Sequence, residues 1–134
     1  MESVPITKKL PYAQRFEDLV VFRRAYKISL EIHSRCASFP ATEQFSGMAD
    51  QMRRASKSIC ANLAEGVGKH TSKAETKKFV RVALGSCEEM RLWCRYCVDL
   101  KLVDEETWQK WRDEYEEISR MLYALMQNVQ RTAG

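Results

Sequence analysis

The stretch QMRRASKSICANLAEGVGKH, residues 51–70, has the pattern of an amphipathic helix that stops at a glycine. Residues on one face of a helix recur every three or four positions. The series through this stretch is Met48, Met52, Ala55, Ile59 and Asn62. Gly66 follows its last member, and we expect it to adopt the left-handed conformation just beyond the helix end. The pattern predicts a helix that begins between Thr42 and Ser46, both suitable N-caps, and ends at Glu65.

Three more helices are predicted around this one, because apolar residues recur there with the same spacing. The first covers about residues 17–38 and ends before Pro40, since the residue preceding a proline avoids the helical conformation. The third follows Ser72, the first residue of an S-x-x-E capping box, and extends to about residue 101. The fourth begins after Asp104 as its N-cap. These heptad-like series predict helices that pack side by side.

Length and composition fit one helical domain. The chain has 134 residues, enough for a single core, and only five glycines and three prolines. So few helix breakers favour long helices over many short strands, and short connections make consecutive helices antiparallel. The predicted fold is all-α, an antiparallel up-down-up-down four-helix bundle over residues 16–130. Residues 1–15 are predicted to form an N-terminal tail that is flexible or packed on a neighbour.

Composition also limits the compartment and the kind of partner. The sequence has no run of about 18 apolar residues that would span a membrane, and its beginning lacks the apolar centre of a signal peptide. Five cysteines are an odd number, which favours reduced thiols in the cytoplasm. Residues 53–81 carry eight basic and two acidic residues, a net +6, whereas residues 102–134 carry four and seven, a net −3. We expect a cytoplasmic molecule with a polarised charge.

Three blocks of the sequence resemble a known protein family. They are FEDLVVFRRA at residues 16–25, QMRRASKSICANLAEG at 51–66 and ALGSCEEM at 83–90. In this order and spacing they resemble the four-helix bundle proteins encoded by intervening sequences of bacterial 23S ribosomal RNA genes. The resemblance implies a small cytosolic bundle that assembles as a homopentamer. It also implies kinship with the accessory proteins of diversity-generating retroelements, which are pentameric and basic and bind a reverse transcriptase and nucleic acid.

A line of polar residues accompanies the apolar face of the second helix. It contains Gln51, Ser58, Asn62 and Glu65, and the third helix carries a matching line of Gly85, Ser86 and Glu89. A glycine inside a helix costs about 1 kcal/mol relative to alanine, so we expect the two helices to approach closely at Gly85. The two lines would then form one buried polar network in which Arg54 or Arg91 neutralises the glutamates. We prefer this structural role to general acid–base catalysis, because no metal-ligand pair accompanies the carboxylates.

Cysteine and aromatic residues offer weaker alternatives. Cys94 and Cys97 could form a zinc site with His33 and Cys36, but both pairs lie within predicted helices and the resemblance carries no zinc. The Glu-x-x-His pattern of di-iron bundles is absent from the sequence. The aromatic residues of the fourth helix could stack on bases, but their periodicity favours the core. We expect no cofactor or metal, and no phosphate loop or nucleophile motif indicates an enzyme.

The basic segment gives the strongest indication of function. The candidates for contacts with nucleic-acid phosphates are Arg53, Arg54, Lys57, Lys69, Lys73, Lys77, Lys78 and Arg81. Most such runs are solvated helix faces, but a ring of five subunits would multiply this patch near one end of the bundle, and affinity rises steeply with the number of phosphates neutralised. We expect a non-enzymatic homo-oligomer that binds RNA or DNA with low sequence specificity. The alternative is a protein-interaction scaffold, or an accessory subunit of a reverse transcriptase or other nucleic-acid enzyme.

Overall fold

The structure, a computed structural model, describes residues 15–68 and 71–131, with side chains up to residue 129. The described chain contains four long helices: α1 Val20–Cys36, α2 Met48–Gly66, α3 Lys73–Asp99 and α4 Glu105–Arg131. Their bounds lie within a few residues of the predicted ones, and the all-α prediction is confirmed. The predicted tail, residues 1–15, lies outside the described residues except for Arg15.

Short elements connect the helices. Single 3-10 turns, Phe16–Asp18 and Ala41–Glu43, precede α1 and α2. The described residues form no strand beyond an isolated bridge between Arg15 and Gly68. This bridge holds Arg15, the first described residue, against the chain that follows the end of α2.

The four helices form a bundle in which each helix packs against two others. In cyclic order the neighbours are α1, α2, α3 and α4, with α4 returning to α1. In the contacts between neighbours, the residue number falls in one helix as it rises in the other, which is the pattern of antiparallel helices. Such pairs are Met52–Cys97 and Ser58–Ser86 across α2 and α3, and Arg24–Glu114 and Glu31–Lys110 across α1 and α4.

The core follows the predicted periodicity. On α2, Met48, Met52, Ala55 and Ile59 are buried, whereas Asn62 is half-buried. All four helices contribute fully buried side chains, among them Ile32, Ile59, Leu63, Met90, Tyr115, Ile118 and Leu122. Burying one such side chain contributes about 1.5–3 kcal/mol relative to leaving it exposed. This apolar centre therefore supplies most of the favourable free energy that holds the helices together.

The end of α2 differs from the prediction. Gly66 is the last helical residue and is buried, and no glycine in the described chain has a positive φ. The left-handed role assigned to Gly66 was therefore wrong. Its missing side chain instead gives room to α3, since a Cβ at Gly66 would lie 2.4 Å from Cβ of Phe79. The close approach of α2 and α3 expected at Gly85 occurs here.

Helix starts are capped by side chains. Ser72 Oγ accepts a hydrogen bond from the Glu75 amide at 3.1 Å, which confirms Ser72 as the predicted N-cap of α3. The Glu75 carboxylate accepts from the Ser72 hydroxyl at 2.9 Å, whereas in a full capping box it would accept from the Ser72 amide. Asp104 caps α4 as predicted, since its Oδ1 accepts from the Thr107 amide at 2.8 Å. The N-cap prediction for α2 was wrong, because the cap position is Gly47 and the Met48 amide donates to Glu43 Oε1 at 2.8 Å.

Candidate nucleic-acid interface

The predicted phosphate-binding residues lie on α2, on α3 and in the turn that joins them. We call the described members the basic sector; they are Arg53, Arg54, Lys57, Lys73, Lys77, Lys78 and Arg81. Lys69, the eighth predicted residue, lies with His70 outside the described residues. Most members of the basic sector are exposed, whereas Arg53 and Lys77 are half-buried.

Part of the basic sector is free of intramolecular charge pairing. No ion pair between described residues involves Lys57, Lys73, Lys77, Lys78 or Arg81. The nearest aromatic partner is Phe79, whose ring centroid lies 5.9 Å from Lys78 Nζ. By contrast, the arginines of the α3–α4 side are largely engaged, as in the pair between Arg91 and Glu116. These lysines and Arg81 can therefore meet an external anion without first breaking an ion pair.

The two arginines of α2 are placed differently. Arg53 donates to the side-chain oxygen of Gln44 at 3.0 Å, at the opposite end of α2 from the turn. Arg54 pairs with Asp50 at 3.2 Å. With a rise of about 1.5 Å per residue, both lie roughly 18–20 Å along α2 from Gly66. The expectation that all basic candidates gather near one end was therefore wrong for Arg53 and Arg54.

On α3 the basic residues divide between two sides of the helix. A residue advances by about 100° around a helix axis, since 3.6 residues complete a turn. Lys73, Lys77 and Arg81 are spaced by four and lie towards α4, whereas Lys78 lies towards α2. Lys73 lies in the first turn of α3, where the positive end of the helix dipole adds to its field. The positive charge of the basic sector is thus most concentrated at the end of the bundle where α2 connects to α3.

The predicted polar network exists only in part. Asn62 Nδ2 donates to Ser58 Oγ at 3.1 Å and to the Ser58 carbonyl at 2.8 Å. Ser86 Oγ donates across the helices to Ser58 Oγ at 2.8 Å. These three residues form a short chain of hydrogen bonds between α2 and α3, which favours one register of the two helices.

The other predicted members lie outside this network. Gln51, Glu65 and Glu89 are exposed, and so is Gly85, where an added Cβ would meet no atom within 4 Å. The basic partners expected for the glutamates are engaged elsewhere: Arg54 with Asp50, and Arg91 with Glu88 and Glu116. The assignment of Gln51, Glu65, Gly85 and Glu89 to a buried network was therefore wrong, because the polar line faces the outer edge of the α2–α3 contact.

The cysteines are interior residues. Cys36, Cys87, Cys94 and Cys97 are buried and Cys60 is half-buried. Burial raises the pKa of the Cys36 thiol to about 11 and that of Cys87 to about 12. Across residues 15–68 and 71–131, no group of three or more His, Cys, Asp or Glu side chains is arranged to hold a metal ion. The zinc alternative gains no support from this part of the chain.

The aromatic residues of α4 mostly face inward. Trp111 and Tyr115 are buried, so their interpretation as core residues is confirmed. Trp108 is half-buried, and the guanidinium groups of Arg95 and Arg112 lie over its ring, 5.1 and 4.7 Å from the centroid. The two guanidinium groups thus occupy part of the ring's surface, and Tyr123 is the aromatic residue of α4 that is exposed in the described chain.

Sequence reasoning missed a set of exposed apolar residues. They are Tyr26 and Leu30 on α1, Phe45 before α2, Val82, Leu92, Tyr96 and Leu100 on or just after α3, and Tyr123 on α4. Those of α3 form a second series with helical spacing, offset from the core series. A helical spacing of apolar residues does not by itself tell a buried face from an exposed one, so the sequence did not separate the two series. None of the helices in the described chain is long and apolar enough to cross a membrane.

Comparison with known proteins identifies relatives of this fold. The family model of the 23S rRNA-intervening sequence protein matches residues 17–124. Among solved structures, a protein of unknown function from the S23 ribosomal protein family of Bacteroides thetaiotaomicron superposes with a TM-score of 0.73. The match is 19% identical in sequence and covers 81% of this chain and 96% of that one. No curated protein sequence matches the chain.

Proposed function

The chain belongs to the 23S rRNA-intervening sequence protein family, and from this premise we propose that it is a non-enzymatic, homopentameric bundle that binds RNA or DNA with low sequence specificity. The resemblance of its sequence blocks to proteins that form pentamers supports the assembly. The same resemblance connects it with basic accessory proteins of retroelements, which bind nucleic acid. The positive charge of residues 53–81 supports the choice of ligand.

The observation that carries the proposal is the set of cationic side chains left without ion pairs within the described chain: Lys57, Lys73, Lys77, Lys78 and Arg81. Charged residues kept only for solubility are commonly interspersed with the opposite charge. Here Lys73, Lys77 and Arg81 form an i, i+4, i+8 line at the start of α3, with only Glu75 as an acidic neighbour, and Glu75 is engaged with Ser72. This line presents positive charge that the chain does not neutralise itself.

Such a surface would bind through phosphates. Each phosphate that a protein neutralises releases counterions, so affinity falls steeply as salt rises. One subunit offers only a few contacts, and a homopentamer would repeat each of them five times. No helix-turn-helix, zinc finger or other groove-reading motif is present in the sequence. We therefore favour single-stranded or structured RNA over sequence-specific recognition of duplex DNA.

The decisive experiment compares two charge reversals of equal size. Lys73→Glu with Arg81→Glu alters the basic sector, whereas Lys27→Glu with Lys101→Glu alters exposed lysines elsewhere by the same total charge. Fluorescence anisotropy with a short single-stranded RNA, measured from low to high salt, gives affinity and salt slope. We expect the first variant to lose at least about tenfold in affinity and to show a shallower salt slope, while the second stays near wild type.

Equal losses in the two variants would indicate a general charge effect and would contradict the assigned surface. Binding that ignores both salt and charge reversal would overturn the proposal. Far-UV circular dichroism of each variant shows whether the helices are intact, so that a folding defect is not mistaken for loss of a contact.

A second candidate function is that of a protein-interaction scaffold, for example an accessory subunit of a reverse transcriptase. It is favoured by Phe45, which is 90% exposed in the connection between α1 and α2. This loop is fixed, since Gln44 donates to the carbonyls of Cys36 and Phe39 and Ser46 has a φ of 59°. A large apolar side chain held on a fixed loop resembles the anchors found at protein interfaces. A pentamer indifferent to RNA would favour this candidate.

A further inference from the structure

The outer side of α3 carries an apolar surface that the bundle leaves uncovered. We call it the α3 face; it consists of Val82, Gly85, Leu92, Tyr96 and Leu100. Its four large side chains are between 45% and 54% exposed. Their spacing keeps them on the side of α3 that turns away from α4 and lies beside α2, since Ser86 at its edge bonds Ser58 of α2. Exposed apolar patches of this kind mark interaction sites.

Gly85 gives the α3 face an unusual centre. It lies in the middle of a 27-residue helix, where glycine costs about 1 kcal/mol relative to alanine. Beyond its chain neighbours and the local helix backbone, no atom of the described residues lies within 4 Å of the position a Cβ would take, so packing within this part of the subunit does not require a glycine here. The absent side chain leaves the helix backbone uncovered between Val82 and Leu92 on the α3 face. A neighbouring molecule can approach the backbone closely at this point.

A smaller apolar surface occupies a different side of the bundle. We call it the α1 face; its exposed members are Tyr26 and Leu30, at 51% and 54%. Tyr26 stacks on Phe22, with ring centroids 5.9 Å apart, which fixes the ring. Arg24 and Glu31 of α1 point to α4 through their ion pairs, so Tyr26 and Leu30 lie on the opposite side of α1, beside α2.

Around the level of Gly85, the charges beside the two faces are of opposite sign, whereas Lys78, one turn before Val82, adds a positive charge at the turn end of the α3 face. Glu89 lies within the series of the α3 face and Glu65 lies on the neighbouring edge of α2, and both are exposed. Lys57, on the edge of α2 nearest to α1, is exposed as well. None of the ion pairs in the described part of the chain includes Glu65, Glu89 or Lys57. Complementary charge of this kind selects partners and orients them. Here one copy of the chain carries both the acidic residues beside the α3 face and the basic residue beside the α1 face.

The two faces also match in height along the bundle. Ser29 lies beside Cys60, and Ser58 bonds Ser86, so Leu30 is nearly level with Ser86 and Gly85. One turn away, Tyr26 is nearly level with Val82. A rotation about an axis parallel to the helices preserves height, so cyclic copies can only join residues of equal level. The exposed apolar residues of the two faces meet this requirement.

We infer that the α1 face of one copy docks on the α3 face of the next, so that copies of this chain form a closed ring with α2 on its inner side. The inference deepens the proposed function, because it rests on the proposed self-assembly and names the surfaces that produce it. The two faces flank α2 on adjacent sides of a four-cornered bundle. Head-to-tail contacts between sides turned by about 90–108° close a ring of about four or five copies.

The arrangement has a consequence for the basic sector. The outward edge of α2 would line the opening of the ring, and its residues there are Arg54, Lys57 and Ala61, all exposed. Lys73, Lys77 and Arg81 lie towards α4 and would surround the rim at the turn end. A strand of nucleic acid bound to the rim would therefore meet a second set of cations inside the opening.

The test uses one blocked face at a time. Leu30→Arg places a charge in the α1 face, Leu92→Arg places one in the α3 face, and Tyr123→Arg is the matched control, an exposed apolar residue on α4 away from both faces. Mass is measured by light scattering without nucleic acid, and helicity by circular dichroism. We expect Leu30→Arg and Leu92→Arg to be folded monomers and Tyr123→Arg to keep the wild-type mass.

Mixing the two blocked variants gives the sharper result. Leu30→Arg retains an intact α3 face and Leu92→Arg retains an intact α1 face, so an equimolar mixture should form a dimer with twice the monomer mass and no ring. If Leu30→Arg still assembles, or if the mixture stays monomeric, the head-to-tail assignment is overturned. The inference also fails if the wild-type mass is that of a monomer.

A monomeric wild type would refute both the ring and the proposed pentamer, whereas the proposed nucleic-acid binding fails on a different measurement. If the wild-type ring shows no salt-dependent binding of RNA, nucleic-acid binding is refuted and the docking surfaces are unaffected. A ring that forms with both faces blocked would refute the docking surfaces and leave the RNA proposal untouched.

Discussion

At the scale of single residues, two glycines show how surroundings decide the effect of a missing side chain. Gly66 is buried, and a Cβ there would lie 2.4 Å from Cβ of Phe79. Gly85 is exposed, and a Cβ there would meet nothing within 4 Å. Both lie in helices, Gly66 as the last residue of α2 and Gly85 in the middle of α3. Only the packing of α3 on α2 distinguishes the glycine that is required within the subunit from the one that is not.

We expect alanine to have opposite effects at the two positions. Gly66→Ala should lower the free energy of unfolding by about 1–3 kcal/mol, because Phe79 must shift with its helix to admit a methyl group. Gly85→Ala should raise it by about 0.5–1 kcal/mol, the ordinary gain in helix propensity. Urea unfolding followed by circular dichroism, at a dilution where the chain is monomeric, measures both. The same sign for both substitutions would contradict the described packing.

At the scale of elements, the start of α2 depends on a residue outside the helix. Glu43, in the 3-10 turn Ala41–Glu43, accepts a hydrogen bond from the Met48 amide. Gly47 occupies the cap position, where a Cβ would lie 2.6 Å from Cα of Glu43. The preceding loop folds back because Ser46 has a φ of 59°. A serine or threonine near the start of an apolar series predicts that its side chain caps the helix. In α2 the folded-back loop instead brings the Glu43 carboxylate to the Met48 amide.

The two possible caps of α2 can be compared directly. Glu43→Ala removes the acceptor of the Met48 amide and should lower the free energy of unfolding by about 1 kcal/mol. Thr42→Ala is the control, since Thr42 is exposed and bonds no amide of α2 in the described structure. Its melting temperature should stay within about one degree of wild type, as for most surface substitutions. An equal loss in Thr42→Ala would restore the cap predicted from the sequence.

Periodicity predicted the elements well for a physical reason. The core residues Met52, Ile59, Met90 and Ile118 recur every three or four positions because only one side of each helix faces the centre. Caps such as Ser72 are local and equally readable. The outer polar line was misplaced because Asn62 and Glu65 lie close to the core edge, and a spacing does not tell on which side of the edge a residue falls.

At the scale of the whole molecule, the sequence shows which segment carries the positive charge but not where its residues lie on the surface of the bundle. Residues 53–81 hold the positive excess, yet α2 carries Arg53 and Arg54 about 18–20 Å from its C-terminal end, since a helix rises about 1.5 Å per residue. Lys73, Lys77 and Arg81 remain near the turn. The sequence therefore predicted which cations belong to the candidate interface but did not predict their common surface. Residues that are far apart along one helix lie at different heights of the bundle, even when they belong to one basic segment of the sequence.

Stability of the whole bundle should fall at alkaline pH. Burial raises the pKa of Cys36 and Cys60 to about 11 and of Cys87 and Cys97 to about 12, from an ordinary value of 9.0. The folded chain thus keeps protons that the unfolded chain releases, so this stabilisation is complete below about pH 8.5 and is lost as pH rises towards the folded pKa values.

The urea midpoint, followed by circular dichroism, should therefore be lower at pH 10 than at pH 8. The fall can reach about 1.4 kcal/mol per pH unit for each buried thiol that ionises on unfolding. Cys36→Ala should show a smaller decrease over the same interval than wild type. A midpoint that stays constant from pH 8 to pH 10 would contradict the burial of these thiols.

The reactivity of the buried cysteines can also report when the helices of the bundle separate. A thiol reagent in solution reacts only with sulfur that it can reach, so Cys60, half-buried on α2, should be labelled before the other four. Cys36 is on α1, Cys87, Cys94 and Cys97 are on α3, and all four are buried. If α1 separates from the bundle without α3, Cys36 will react alone; if the helices separate together, all four will react at one rate. The order of labelling thus shows whether the subunit unfolds locally, one helix at a time, or as one cooperative unit.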